Sequence, residues 1–150
     1  KKIQAGDSVQ LSDQLHITPI IVPHRSEFTE TVGYHIRGAN TSVLFIPDID
    51  SWHAWDQSIS EWISKVDYAF LDGTFFDNDE IPGRDMTQIA HPLIIESMEL
   101  FGDLDDRDRK KIHFIHLNHT NPVLNPHSKE RQKVVTAGFR IAEEKAIISL

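Results

Sequence analysis

The apolar stretch Ile112-His113-Phe114-Ile115-His116-Leu117 constrains the fold more than any other part of this chain. In an extended conformation Ile112 and Phe114 point one way and Ile115 and Leu117 the other, so a strand built from them leaves no polar face for solvent. Such a strand belongs inside a covered sheet, and the residues that follow it, Asn118-His119-Thr120-Asn121-Pro122, are polar and turn-forming. In α/β proteins ligands bind where buried strands give way to loops, so His116 and its neighbours are the first place to look for chemistry. A single histidine at a strand end is more often a hydrogen-bonded core residue than a ligand. The remainder of the chain decides between the two.

Leu15 to Val22 reads as a strand stopped at Pro23-His24, because Pro23 withdraws a ladder donor. Thr31 to Arg37 alternates Val32, Tyr34 and Ile36 against Thr31, Gly33 and His35. Gly38-Ala39-Asn40 then turns the chain into a strand over Ser42 to Ile46, ending at Pro47-Asp48-Ile49-Asp50. Ile59, Trp62, Ile63 and Val66 fall at i, i+3, i+4 and i+7, which predicts a helix packed on a sheet. Tyr68 to Leu71 is a short buried strand ending at Asp72-Gly73-Thr74, and Phe75 to Thr87 is a loop. Pro92 is expected at the first position of a helix that buries Ile94, Ile95, Met98 and Phe101 and is closed by Gly102. Asn125-Pro126 reads as the cap and first turn of a helix reaching Ala137, and Ala146 to Leu150 as a last strand. Strands interleaved with helices after a hairpin start predict an α/β layered fold in one structural unit. Trp62 is expected in the core, whereas Trp52 and Trp55, close behind Asp48, are candidates for a pocket wall.

Charge and composition narrow the chemistry. With 15 basic and 23 acidic residues the net charge is −8, and the basic residues do not cluster, so nucleic acid is not the expected partner. No apolar run reaches the length of a membrane span, and the opening residues lack the apolar centre of a signal peptide. A soluble protein of the cytoplasm or periplasm, acting on a small molecule or peptide, is the expectation. The chain has no cysteine and nine histidines, so any transition-metal site must be built from imidazole and carboxylate, which suits Zn, Fe or Mn. His24, Asp48 and His116 each stand at or just past the end of an apolar run, and two imidazoles with one carboxylate form a metal-ligand set. His91 is a further candidate, with an N-cap role as the plain alternative. His119 and Asp50 are candidates to orient the ligands or to supply a proton.

Taken together, these segments carry a resemblance. Val22-Pro23-His24 with Thr31-Val32-Gly33-Tyr34, Leu44-Phe45-Ile46-Pro47-Asp48, Asp67 through Phe75, His91, and Phe114-Ile115-His116-Leu117-Asn118-His119-Thr120 resemble the second half of a metallo-β-lactamase-fold protein. The order and spacing are similar to the tRNA-3′-processing and phosphodiesterase branch. Pro-His-Arg, Pro-Asp-Ile-Asp with Trp52, Asp-Gly-Thr-Phe and His-Leu-Asn-His-Thr-Asn-Pro are most similar to the coenzyme pyrroloquinoline quinone biosynthesis B family. The resemblance covers residues 15 to 150.

It implies the second half of an αββα sandwich, a mixed sheet with outer helices that needs a first half to complete its core. It implies that His24 and His116 are metal ligands, that Asp48 bridges up to two divalent ions, Zn or else Mn or Fe, and that His91 protonates a leaving group, with His119 as the other candidate acid. The His-x-His-x-Asp-His segment that supplies the remaining ligands in this fold is absent; no two histidines here are separated by a single residue. The chain is therefore expected to be the C-terminal portion of a longer or cleaved protein, with the N-terminal half of the same fold as its partner and homodimerisation open. The implied function is a metal-dependent hydrolase of an ester, lactone or phosphoester. Two alternatives stand beside it: an iron-dependent oxygenase acting on a peptide tyrosine, and a non-catalytic scaffold of the same fold.

Overall fold

The computed structural model describes residues 2–25 and 29–150. Seven strands, β1 (Val9–Ser12), β2 (Leu15–Ile21), β3 (Val32–Arg37), β4 (Ser42–Ile46), β5 (Tyr68–Asp72), β6 (Ile112–Ile115) and β7 (Arg140–Ile141), lie in sequence order in one sheet. The pairs from β1 to β4 are antiparallel and those from β4 to β7 parallel. Each parallel step needs a crossover. These carry the helices α1 (Ile59–Ser64), α2 (Ile94–Leu100), α3 (Asp106–Arg109) and α4 (Lys129–Thr136). The α/β layered fold with a mixed sheet, expected from the sequence, is thus the observed one.

Right-handed crossovers that step in one direction place their helices on one face of the sheet. The burial pattern agrees. Leu44, Ile46, Ala69, Leu71, Ile112 and Phe114 alternate along β4, β5 and β6, are wholly buried, and share one core with Ile59 and Ile63 of α1, Ile94 of α2 and Val134 of α4. The residues between them point to the other face. There Ile17 pairs with Ile36, Pro19 with Tyr34, Tyr34 with Phe45 and Phe45 with Phe70, so apolar side chains run across four strands. Among the described residues no helix covers them: Phe45 and Phe70 are only half-buried, and Tyr34 and Ile21 are 37% and 45% exposed.

Local chemistry explains most element ends. The Ser58 hydroxyl caps α1 by accepting from the Glu61 N–H, and the half-charged end of that helix is closed by a side chain far along the chain. Lys111 Nζ donates to the carbonyls of Ile63 and Ser64 and pairs with Asp108 at 2.6 Å. Three expectations need correction. Pro92 precedes the helix rather than opening it: α2 starts at Ile94, with the Glu96 carboxylate accepting from the Leu93 N–H. The cap of α4 is Ser128, whose hydroxyl accepts from the Arg131 N–H, in place of Asn125, which closes the 3-10 turn over Pro122–Leu124 and accepts from the His127 N–H. Ala146 to Leu150 is not a strand; the place beside β6 is taken by Arg140–Ile141, which follows α4 after Gly138 at φ +92°. The short β1 was not legible, since its four residues are exposed or half-exposed and need no core pattern.

Gly73, at the end of β5, is required by close approach. A Cβ there would lie 2.8 Å from the Cβ of the fully buried Phe114. Gly73→Ala is expected to lower stability by about 1–3 kcal/mol by wedging β5 from β6. A chemical-denaturation midpoint equal to wild type would contradict this.

Candidate active site

The sheet's directions assemble the site. Because β2 and β4 both run against β3, and β4, β5 and β6 run parallel, the C-terminal ends of β2, β4, β5 and β6 meet at one edge. His24 follows β2, Asp48 follows β4, Asp72 is the last residue of β5 and His116 comes directly after β6. His91 arrives from the loop before α2. Ligand-type atoms of Asp48, Asp72, His91 and His116 all lie within 4.8 Å of one another. His24 stands at their rim, its Nε2 at 3.3 Å from Asp48 Oδ1 and 3.8 Å from Asp50 Oδ1.

Asp72 is the hub. It is 0% exposed, and its four acceptor positions are all used. Oδ1 accepts from the Thr74 N–H at 2.9 Å and the Thr74 hydroxyl at 2.7 Å; Oδ2 accepts from the Ile49 N–H at 3.1 Å and from His91 Nδ1 at 2.8 Å. One buried carboxylate therefore ties down the loop carrying Asp48 and Asp50, the loop carrying His91, and its own strand end. A group so occupied orients its neighbours instead of binding a further ligand.

Asp48 is the opposite case. Its Oδ1 and that of Asp50 are buried and accept no hydrogen bond among the described residues. His24 Nε2 and His91 Nδ1 approach Asp48 Oδ1 to 3.3 and 3.5 Å without the alignment of a hydrogen bond. Unpartnered carboxylate oxygens facing imidazoles fit a cation, whose charge would satisfy both. The donor set is one that divalent metals accept.

The backbone at His116 has φ +64°, a left-handed conformation that costs a non-glycine residue about 1–2 kcal/mol. Its neighbours hold it there. Gly73 N–H donates to the Ile115 carbonyl, Asn118 N–H to the Thr74 carbonyl, and Asn121, 2% exposed, donates through Nδ2 to the carbonyls of Gly73 and Thr74. The His116 ring turns towards the cluster, 5.7 Å from His91 between centroids, and its Nδ1 lies 2.9 Å from the Thr74 hydroxyl.

Burial is the largest influence on His91 and pulls its pKa down. The hydrogen bond and charge of Asp72, with the charges of Asp48 and Asp50, outweigh it and lift the imidazole above its ordinary value. Beside His91 opens a cleft of about 750 Å³ whose walls include Asp50, Trp52, His53, Leu93 and Glu96. Trp52 thus borders the cleft while its indole N–H donates to Ser97 in the core; Trp55 is buried and donates to the Ile21 carbonyl. Trp62 packs against the core from a half-buried position.

The structure gathers His24, Asp48, His91 and His116 at one edge and leaves His119 apart. His119 is exposed, and among the described residues no hydrogen bond, ion pair or ring contact joins it to the cluster. Asp72 and Thr74 are the residues that sequence reasoning passed over. The signal was present, because Asp72 ends a buried strand just as Asp48 and His116 follow theirs.

A mixed sheet helical on one face, with histidines and aspartates converging at its strand ends, agrees with the metallo-β-lactamase fold that the sequence resembles. The chain belongs to the beta-lactamase superfamily, whose domain model matches residues 1–117. It is similar to coenzyme PQQ synthesis protein B of Klebsiella pneumoniae, 32% identical over 103 residues that make up 63% of this chain and 32% of that protein. The corresponding protein of Pseudomonas aeruginosa is 29% identical over 124 residues, 71% of this chain and 40% of that one. In fold it matches the Zn(2+)-bound PqqB from Methylobacterium extorquens with a TM-score of 0.78 at 22% identity, covering 100% of this chain and 55% of that one. The chain therefore spans about a third to two-fifths of the length of these curated relatives. No helix among the described residues is long and apolar enough to cross a membrane.

Proposed function

We propose that this chain is the C-terminal portion of a metal-dependent hydrolase of the metallo-β-lactamase superfamily. The observation that carries the reading is the pair of buried, unpartnered oxygens on Asp48 and Asp50, facing His24, His91 and His116. His24, Asp48 and His116 would hold the metal, Asp48 supplying the carboxylate. Zinc is the first candidate, since the similar Methylobacterium protein is described as Zn(2+)-bound; Mn and Fe suit the same donors. A divalent ion there would supply a water of near-neutral acidity and charge to stabilise a developing oxyanion.

The chain's own residues do the rest. His91, whose Nδ1 is held by Asp72 at 2.8 Å and lies 3.5 Å from Asp48 Oδ1, stands within the cluster as the candidate to give a proton to a leaving group. Asp72 keeps that ring in position and balances its charge. Asp50, Glu96, Glu99 and Asp103 line the cleft beside His91, and among the described residues no lysine or arginine does. That charge repels an anionic phosphodiester and favours an uncharged or cationic ester or lactone. His119 has no support from the geometry as the acid.

The uncovered apolar sheet face supports the expectation of a missing partner. A face that runs from Ile17 to Phe70 is sized for a second sheet, and the N-terminal half of the fold is its proposed occupant.

The test is elemental analysis of the full-length protein purified without chelators, followed by metal stripping and return, with ester, lactone and phosphodiester substrates. One to two divalent ions per chain, and an activity that disappears and returns with them, is the expected result. A single iron with substrate-dependent oxygen uptake would instead select the oxygenase reading. No bound metal, even after reconstitution, would leave a non-catalytic scaffold.

A further inference from the structure

We infer that Thr74 is a positioning residue: its hydroxyl relays the buried Asp72 carboxylate to His116 and fixes which nitrogen of that imidazole is free for a metal. The inference rests on the metal-site reading above, but the proton accounting stands by itself. Thr74 Oγ1 and Asp72 Oδ1 are 2.7 Å apart and buried, so a proton must lie between them. An ionised carboxylate only accepts, hence the threonine donates. The hydroxyl has one proton and has spent it. The 2.9 Å contact between Thr74 Oγ1 and His116 Nδ1 therefore requires the imidazole to be the donor, which puts the proton on Nδ1 and leaves the Nε2 lone pair open.

The same carboxylate acts directly on the other ring. Oδ2 accepts from His91 Nδ1 at 2.8 Å, and Thr74 Oγ1 lies 3.3 Å from that same nitrogen, so both imidazoles carry Nδ1–H. Thr74 is 7% exposed, and its carbonyl is held by Asn118 and Asn121, so the hydroxyl stays among Asp72, His116 at 2.9 Å and the longer 3.3 Å contact with His91 Nδ1. No hydrogen bond joins Asp72 to His116 directly among the described residues, so the Thr74 hydroxyl is the hydrogen-bonded link between them. Partners that orient a ligating histidine commonly change metal affinity 10–100-fold when removed.

The experiment uses full-length protein labelled with 15N at its histidine rings and stripped of metal, as wild type, Thr74→Ser, Thr74→Val and Thr74→Ala. Ring-nitrogen shifts, assigned by the resonance lost in His116→Gln, should report Nδ1–H on His116 in wild type and Thr74→Ser. The two variants without a hydroxyl should lose that preference. Zn2+ titrated against a competing chelator should bind about 10–100-fold more weakly to Thr74→Val and Thr74→Ala, with Thr74→Ser close to wild type. Thr74→Ala is the second variant should the buried valine disturb folding. An unchanged His116 tautomer in the folded variants lacking the hydroxyl overturns the relay, whatever the metal does. A wild type that shows the tautomer and binds no Zn2+ supports the relay and sinks the metal-site reading, so the two failures are distinguishable.

Discussion

Asp72→Asn is expected to damage stability and metal binding together, with the largest loss of any single change at the site. The amide keeps the volume but replaces an accepting oxygen by a donor. Whichever way it turns, it faces either the Thr74 N–H and hydroxyl or the Ile49 N–H and His91. Two buried donors then lose their acceptor at about 1–3 kcal/mol each, so a loss of about 3 kcal/mol or more is expected. For a chain of this size that corresponds to a fall in Tm of about 10 °C. One orientation releases the Ile49 and His91 loops and the other takes the acceptor from the Thr74 hydroxyl that contacts His116, so Zn2+ affinity falls as well. A variant that melts with wild type and still binds Zn2+ would show that Asp72 is not the hub.

Asp48→Ala is expected to do the reverse, removing function and sparing the fold. Its Oδ1 is buried without a hydrogen bond, so truncation breaks no native bond and relieves an unsatisfied acceptor. The metal-free variant should unfold within about 1 kcal/mol of metal-free wild type, the range of a substitution that disturbs no packing or bonding. Metal content and the hydrolysis that depends on it should be lost. Holding both measurements on one pair of proteins separates a ligand from a structural carboxylate, because Asp72→Asn fails both and Asp48→Ala only one. A large loss of stability in metal-free Asp48→Ala would mean that His24 and His91 already satisfy it as ion-pair partners.

Much of the architecture was legible because its signals are local. The alternation in β3, the doubly apolar run of β6 and the four-residue spacing in α1 each depend on neighbours within one turn or two pleats. Errors gathered where local signals compete. Asn125-Pro126 reads as a helix start, but Asn125 closes the 3-10 turn and accepts from the His127 N–H, so the cap falls to Ser128. The last strand was misplaced because a strand of two residues has no period to read, whereas Ala146 to Leu150 merely looks apolar. At the site, Asp48 and His116 announced themselves through the strands they follow. Asp72 carried the same sign, but it resembled an ordinary strand-end turn residue with Gly73 and Thr74 behind it.

The sequence by itself determined the α/β pattern, the sulfur-free donor chemistry and the set of strand ends at which that chemistry stands. Only the tertiary structure decided that β2, β4, β5 and β6 point the same way, and so that residues from 24 to 116 converge on one small volume. It also divided the carboxylates into the saturated Asp72 and the open Asp48. The physical reason is that side-chain periodicity is set by each residue's near neighbours, whereas the acceptor sites of a buried carboxylate are filled by donors 2 to 23 residues distant, which chain direction and packing alone bring into range.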